Sequence, residues 1–310
     1  FCRKHGIILL SMDVSVRLQP LIQKLYRLLF QEEDKRQNAE QMMQNLIAGT
    51  YSTEEAANAY RMGLGPGNFF VAVIIMVDDF FKVRGKCGEK GFQELQRKIC
   101  GRMEYLMRLH RRELQFMVTE KNDIVELVQN EGSYLDRAYM KELFEELIAD
   151  VQARYEGITV SVGIGTIFSQ LTEVQRSVTE ARRSLQILSA CGRRGTIRCY
   201  DDIGIYRLLF ELQDQETFRA IKNGILGKLQ EFDLENGENL TETLQVYLEN
   251  DKNIGISAQK MYLHWNTFKY RLNKIEEILL CDLSDSNTCF NLNLAFKIER
   301  FLQSEKMFLE

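Results

Sequence analysis

The sequence predicts two folded units in series: an α/β domain with a mixed sheet, then an all-α domain. Three observations carry this. Between about 46 and 205 the apolar pattern alternates between a helical period and short strand-like runs. Two of those runs, "LQFMV" and "DIVELV", are separated only by "TEKN" and so predict a hairpin, which a purely parallel sheet would lack. From about 206 onward the strand-like runs stop, and each segment reads as a helix with short connections.

Residues 1 to 45 hold a strand-like "GIILLSM" and a helical "LQPLIQKLYRLLFQ", in which Leu18, Ile22, Leu25, Leu28 and Leu29 share a face. One strand and one helix cannot close a core, so this segment is read as the end of a preceding domain plus a connector. The chain begins with Phe1 and "GIILL" is too short for a signal peptide, so the expectation is a start inside a longer protein. Next, Thr53 is the expected cap of "EEAANAYRMG", with Glu54 and Glu55 in the first turn where the helix dipole favours them. The apolar run "FFVAVIIMV", Phe69 to Val77, falls far short of the roughly 20 residues of a membrane helix and is read as a buried strand. A long amphipathic helix is expected in "FQELQRKICGRMEYLMRLHRREL", followed by the hairpin. Then come the helix "YMKELFEELIADVQARY", the strand "ITVSVGIGT", the helix "EVQRSVTEARRSLQILS" and the strand "TIRCY". Residues 206–310 contribute helices in "YRLLFEL", "QETFRAIKNGILGKLQEF", "NLTETLQVYLEND", the pair in "SAQKMYLHWNTFKYRLNKIEEIL", and "NTCFNLNLAFKIERFLQ".

Composition narrows the function classes. The chain of 310 residues is 45% hydrophobic and 27% charged, as for an ordinary globular protein. A net charge of −4 argues against general coating of nucleic acid but leaves room for a local basic surface. Seven cysteines form no CxxC pair and the three histidines are far apart, so zinc spacing is absent. Reduced thiols in a cytoplasm are the expectation. No GxSxG, Walker loop or HExxH occurs. His110, in "RLHRREL", is expected on a solvated, charged face.

"GLGPGNFF" (63–70) follows a helix and leads into a strand, the reverse of a phosphate-cradling loop. "MVDDFFKVRGKCGEKGFQEL" (76–95) is more informative, because Asp78 and Asp79 sit where a buried strand ends, a usual place for magnesium-binding carboxylates. This stretch resembles the first metal-binding strand of GGDEF-type nucleotide cyclases. "ITVSVGIGT" and "SVTEARRSLQILSACGRRGTI" are similar to later parts of that fold. The signature hairpin departs: where the family has two glycines and an acidic pair, this chain has Glu120, Lys121, Asn122, Asp123 and Ile124. Side chains there occupy space that glycine leaves open for a nucleotide. The expectation is a non-catalytic descendant that senses a ligand or mediates dimerisation, with no cofactor or metal. The alternative is a nucleotide-binding sensor or residual cyclase using Asp78 and Asp123, the helical domain serving as a protein-interaction module.

In the second helix of the C-terminal pair, Phe268, Leu272, Ile275 and Leu279 recur at steps of 4, 3 and 4 and form a buried stripe. Asn266, Lys269, Tyr270 and Asn273 fall on the other side, flanked by Thr267 and Lys274. These groups suit base edges and phosphates. Ser257, near the start of the preceding helix, is a candidate phosphate donor. Periodicity alone leaves a DNA-reading face and a merely solvated one equally open. The residues from Leu226 to Leu283 resemble the C-terminal helix-turn-helix of PucR/CdaR-type bacterial transcriptional regulators. The resemblance rests on Leu226, Gly227, Asp233, Thr243, Leu244, Tyr247, Leu248, Ala258, His264, Asn266, Thr267, Tyr270, Arg271 and Leu272. Trp265 departs from it, standing where the family usually has arginine.

That resemblance implies three parts: a remnant of an N-terminal sensory domain with its connector (1–45), a degenerate GGDEF-like domain (46–205), and the helix-turn-helix domain (206–310). It implies a cytoplasmic regulator of a carbon, nitrogen or purine catabolic operon rather than an enzyme. Its partners would be double-stranded promoter DNA, a second copy of the chain and an unidentified small-molecule effector, with no membrane involved. The implied DNA-binding residues are Ser257, His264, Trp265, Asn266, Thr267, Lys269, Tyr270, Arg271, Asn273 and Lys274.

Overall fold

A computed structural model of the chain describes residues 38–309, apart from 111–115, 121 and 213. The strand and helix expected within residues 1–37 lie outside this range. A first helix, α1, runs through residues 38–48, and α2 spans Thr53–Arg61. The cap of α2 is Ser52 rather than Thr53. The Ser52 hydroxyl accepts from the Glu55 amide at 3.2 Å while the Glu55 carboxylate accepts from the Ser52 amide at 2.7 Å. This reciprocal pair satisfies two amides that the helix itself leaves bare.

The sheet domain continues with β1 (Phe69–Val77), α3 (Phe80–Leu109), β2 (Met117–Glu120), β3 (Asp123–Asn130), α4 (Arg137–Arg154), β4 (Val160–Phe168), α5 (Val174–Ala190) and β5 (Ile197–Cys199). Among the described residues the strands form one sheet in the order β2-β3-β1-β4-β5. Strand β1 runs antiparallel to both β3 and β4, and β5 runs parallel to β4, so the sheet is mixed as expected. Central placement explains the apolar run of β1, whose residues 70–77 are all buried.

Helix α3 is longer than its periodicity suggests. It begins at Phe80, within the glycine-rich stretch, and bends at Gly88, whose φ of 71° is one that a side chain would disfavour. His110 caps its C-terminus and lies 3.2 Å from Glu146 and edge-on to Tyr139, so it is not a freely solvated residue.

The "VGIGT" segment shows why its glycines matter. A Cβ at Gly163 would sit 2.1 Å from the Ala181 carbonyl oxygen, and one at Gly165 would sit 2.1 Å from that of Ser177. Helix α5 therefore lies directly on β4. Opposite Ala72, strand β4 carries a bulge, seen as a register shift between Val71 and Val73. The polar groups around it are satisfied by α5: the Ser177 hydroxyl accepts from the Ala72 amide at 3.1 Å, and Glu180 accepts from the Thr166 amide at 3.1 Å.

The helical part contains α6 (Tyr206–Leu212), α7 (Gln215–Asn236), α8 (Leu240–Glu249), α9 (Ile254–Lys260), α10 (Trp265–Leu279) and α11 (Ser286–Leu309). Three hydrophobic cores result. The sheet core includes Met42, Met43, Leu46 and Ile47, so α1 belongs to that domain rather than to a connector ending at residue 45. A second core joins Leu226, Leu229, Leu240, Leu244, Phe268, Leu272, Ile275 and Phe296. The third joins Ile187 of α5 to Tyr206, Phe210, Phe218, Ile298 and Phe301, tying the sheet domain to both long helices of the helical part. No helix among the described residues is long and apolar enough to cross a membrane. The six described cysteines are free thiols.

Candidate nucleic-acid interface

The site is built on α10 and the helices that hold it. Asp233, inside α7, accepts the backbone amides of Leu240 and Thr241, each at 2.8 Å. It thereby caps α8 from a neighbouring helix. On α8, Thr243 is fully buried, and its hydroxyl donates to the Asn239 carbonyl at 2.8 Å and accepts from Arg271 at 3.2 Å. Asn253 caps α9 by accepting from the Ile256 amide at 3.0 Å. The chain then turns through residues 261–264, with Tyr262 at a positive φ of 55° and 97% exposed. His264 caps α10: its Nδ1 accepts from the Asn266 amide at 3.2 Å, which leaves Nε2 as the ring nitrogen able to donate.

Seen along its axis, α10 divides into rows of side chains spaced three and four apart. Phe268, Leu272 and Ile275 form the fully buried row, with Leu279 partly buried at its end. Burying these three contributes on the order of 1.5–3 kcal/mol each and fixes the helix by one face. The row of Asn266, Tyr270 and Asn273 is exposed, as are Trp265, Thr267 and Lys269. Lys269 places its ammonium 5.2 Å from the centre of the Trp265 ring.

The cations expected on this helix do not share one role. Arg271 reaches back to Thr243, and Lys274 pairs with Glu238 at 2.6 Å while lying 4.7 Å from the Phe232 ring centre. The hydrogen bond that Lys274 donates to the Glu238 carboxylate raises the pKa of Lys274. Both side chains therefore tie α10 to α7 and α8, and Lys269 is the one turned outward. Ser257 is corrected outright. It is fully buried, and its hydroxyl donates to the Val246 carbonyl at 3.4 Å, so it packs α9 on α8 and is closed off from a phosphate. Tyr262 was not singled out by periodicity, because a turn residue lies outside any helical stripe.

The carboxylates of the sheet domain are brought to neighbouring strand ends but given different partners. Asp78 accepts from Thr159 at 2.6 Å, Ser161 at 2.7 Å and the Gly195 amide at 2.9 Å. Asp123, which is register partner to Met76, pairs with Arg182 of α5 at 3.0 Å. The hairpin tip is held too, since Arg84 donates to the Asn122 side chain at 3.2 Å. Beside Asp78 opens a cleft of about 420 Å³, lined by Phe80, Lys82, Leu188, Ser189, Arg193 and Arg194 among others. Arg194 is paired there with Asp79 at 2.8 Å. Sequence reading missed this basic rim, although "CGRRGTI" marks it.

A mixed-sheet domain joined to a helix-turn-helix through a shared core defines a two-domain class of chain. Residues 48–187 match a GGDEF-like domain and residues 240–298 match the PucR C-terminal helix-turn-helix domain. The chain thus carries a GGDEF-like domain followed by a PucR-type helix-turn-helix domain. It is 23% identical to the DNA-binding transcriptional activator AdeR of Bacillus subtilis (strain 168), over 89% of this chain and 63% of that protein. In the same organism it is 32% identical to the proline-responsive transcriptional activator PutR, over 44% of this chain and 33% of that one. It is also 34% identical to the purine catabolism regulatory protein, over 51% of this chain and 29% of that one. The matched region covers less than two thirds of each of these relatives.

Proposed function

We propose that this chain belongs to a sequence-specific transcription regulator, with α10 in the major groove of promoter DNA. The observation that carries the reading is α10 itself: one row sealed in the core and the opposite rows, Trp265, Asn266, Lys269, Tyr270 and Asn273, left in solvent. In a helix-turn-helix the N-terminal residues of the second helix meet base edges. Asn266 offers an amide for adenine, Lys269 an amine for guanine or phosphate, and Tyr270 a phenol. Thr267 and Nε2 of His264 serve the phosphates, with Arg271 and Lys274 as supports. Names of relatives that refer to proline and purine catabolism favour a metabolic operon as the target.

The exposed stretch from Trp265 to Asn273 is about 13 Å long, enough for roughly four base pairs. Useful specificity needs more, so the chain acts as a homodimer on paired half-sites. The sheet domain is non-catalytic and serves sensing or dimerisation, and the chain works in the cytoplasm as two units, residues 38–205 and 206–310. A second reading, a nucleotide-binding sensor or residual nucleotide cyclase using Asp78 and Asp123, is favoured by one observation: the cleft beside Asp78 with Lys82, Arg193 and Arg194 at its rim. A gel shift with DNA from upstream of the protein's own gene, run beside a GTP-turnover assay, separates these. Retarded DNA without turnover is the expected result. Turnover of GTP without retarded DNA would replace the first reading by the second.

A further inference from the structure

Resting on the DNA reading, we infer that Trp265 is a specificity-determining residue whose indole packs against the 5-methyl group of a thymine, with Lys269 stacked on it as the neighbouring polar contact. Trp265 is the first residue of α10, directly after the His264 cap, which puts it among the positions that enter a groove deepest. It is 46% exposed, and the polar group set against its ring is the Lys269 ammonium, 5.2 Å from the ring centre. A half-exposed indole at that place has a broad apolar face and a single N–H donor. Phosphate is a poor match for it, because an arginine or lysine supplies charge and several donors where indole supplies one neutral N–H. In the major groove the apolar feature is the thymine methyl, which no other base carries. Lys269, one turn along, is steadied over the ring by attraction to its face, so its amine is presented next to whatever the indole covers.

The chain contains one tryptophan, so its emission reports on this residue alone. The experiment selects duplexes from a random-sequence pool with the full chain. The enriched duplex is then resynthesised with deoxyuridine in place of each thymine in turn. At one thymine, loss of the methyl should weaken wild-type binding about fourfold, the value for burying one methyl-sized group. The W265A chain should bind both versions of that duplex alike while keeping its preferences elsewhere, and W265F should keep part of the discrimination. Trp265 emission should change on adding the thymine duplex. The inference is overturned if no thymine position separates wild type from W265A, or if the emission is unmoved by bound DNA. A pool from which the wild-type chain enriches no sequence would remove the DNA reading itself, and this inference with it.

Discussion

Glu126 lies on β3, paired in register with Val73 of β1 and Met117 of β2, and both of its carboxylate oxygens are buried without a hydrogen-bond partner. Burial pushes its pKa from 4.5 up to about 8. Near it, on α3, burial also pushes the Cys100 thiol up. The sign follows from which state holds the proton. The folded chain keeps Glu126 protonated in a range where the unfolded chain has lost that proton. Its contribution is therefore full below the unfolded value and declines as pH rises toward about 8. We predict that urea unfolding from about pH 5.5 to about pH 7.5 loses on the order of 2–3 kcal/mol in the wild type through this group. The E126Q chain should lack that slope, and an unchanged slope would refute the burial argument. On α10, replacing Asn266 by alanine should relax preference at one base position by about 1–3 kcal/mol, read by binding-site selection. An identical preference would remove Asn266 from the base-reading set.

The elements owe their placement to contacts of unequal visibility in the sequence. Helix α8 starts where it does because Asp233 of α7 accepts its first amides. The D233A chain should lose about 1–2 kcal/mol in thermal unfolding, with D233N losing less; equal stability of D233A and wild type would deny the cap. The G163A substitution should cost about 3 kcal/mol, the upper end for overpacking, because the obstacle is the backbone of α5 rather than a mobile side chain. A stable G163A chain would show that α5 can slide on β4. Much of this architecture is legible in the chain. The apolar run of β1, the hairpin and the period of α10 each follow from spacing that only one element satisfies. Other features are invisible to spacing. Ser257 reads as a helix-start donor, yet α8 covers it. Arg271 and Lys274 read as free cations until Thr243 and Glu238, distant in sequence, arrive beside them. Nothing in "DIVELV" distinguishes Glu126 as buried, because it is the pairing of β3 between β2 and β1 that encloses it. Glycines at 85, 88 and 91 suggest a loop, whereas packing of Phe92, Ile99 and Met103 draws the segment into one bent helix.

At the scale of the molecule, the third core is where the two domains are joined. Phe301 of α11 meets Phe210 of α6 at 4.9 Å and Phe218 of α7 at 5.6 Å between ring centres, and Ile187 of α5 shares the cluster. On α5, Leu185 and Leu188 line the cleft beside Asp78 while Ile187 joins this core. A single helix thus runs from the cleft beside Asp78 to the third core. We predict that the F301A chain, short of about 3–5 kcal/mol of packing, unfolds in two steps where the wild type unfolds in one. Trp265 emission would follow the helical part and circular dichroism the whole chain. Coincident transitions in F301A would show that the joint carries no coupling. The central claim, that the exposed face of α10 reads DNA, is tested most directly by fluorescence anisotropy on DNA from upstream of the protein's own gene, titrated at several salt concentrations. For the wild type, the logarithm of affinity should fall linearly with the logarithm of salt, and K269A should bind more weakly with a slope smaller by about one. Wild-type binding no tighter than to a scrambled duplex, or K269A curves that superimpose on the wild type at every salt concentration, would contradict it.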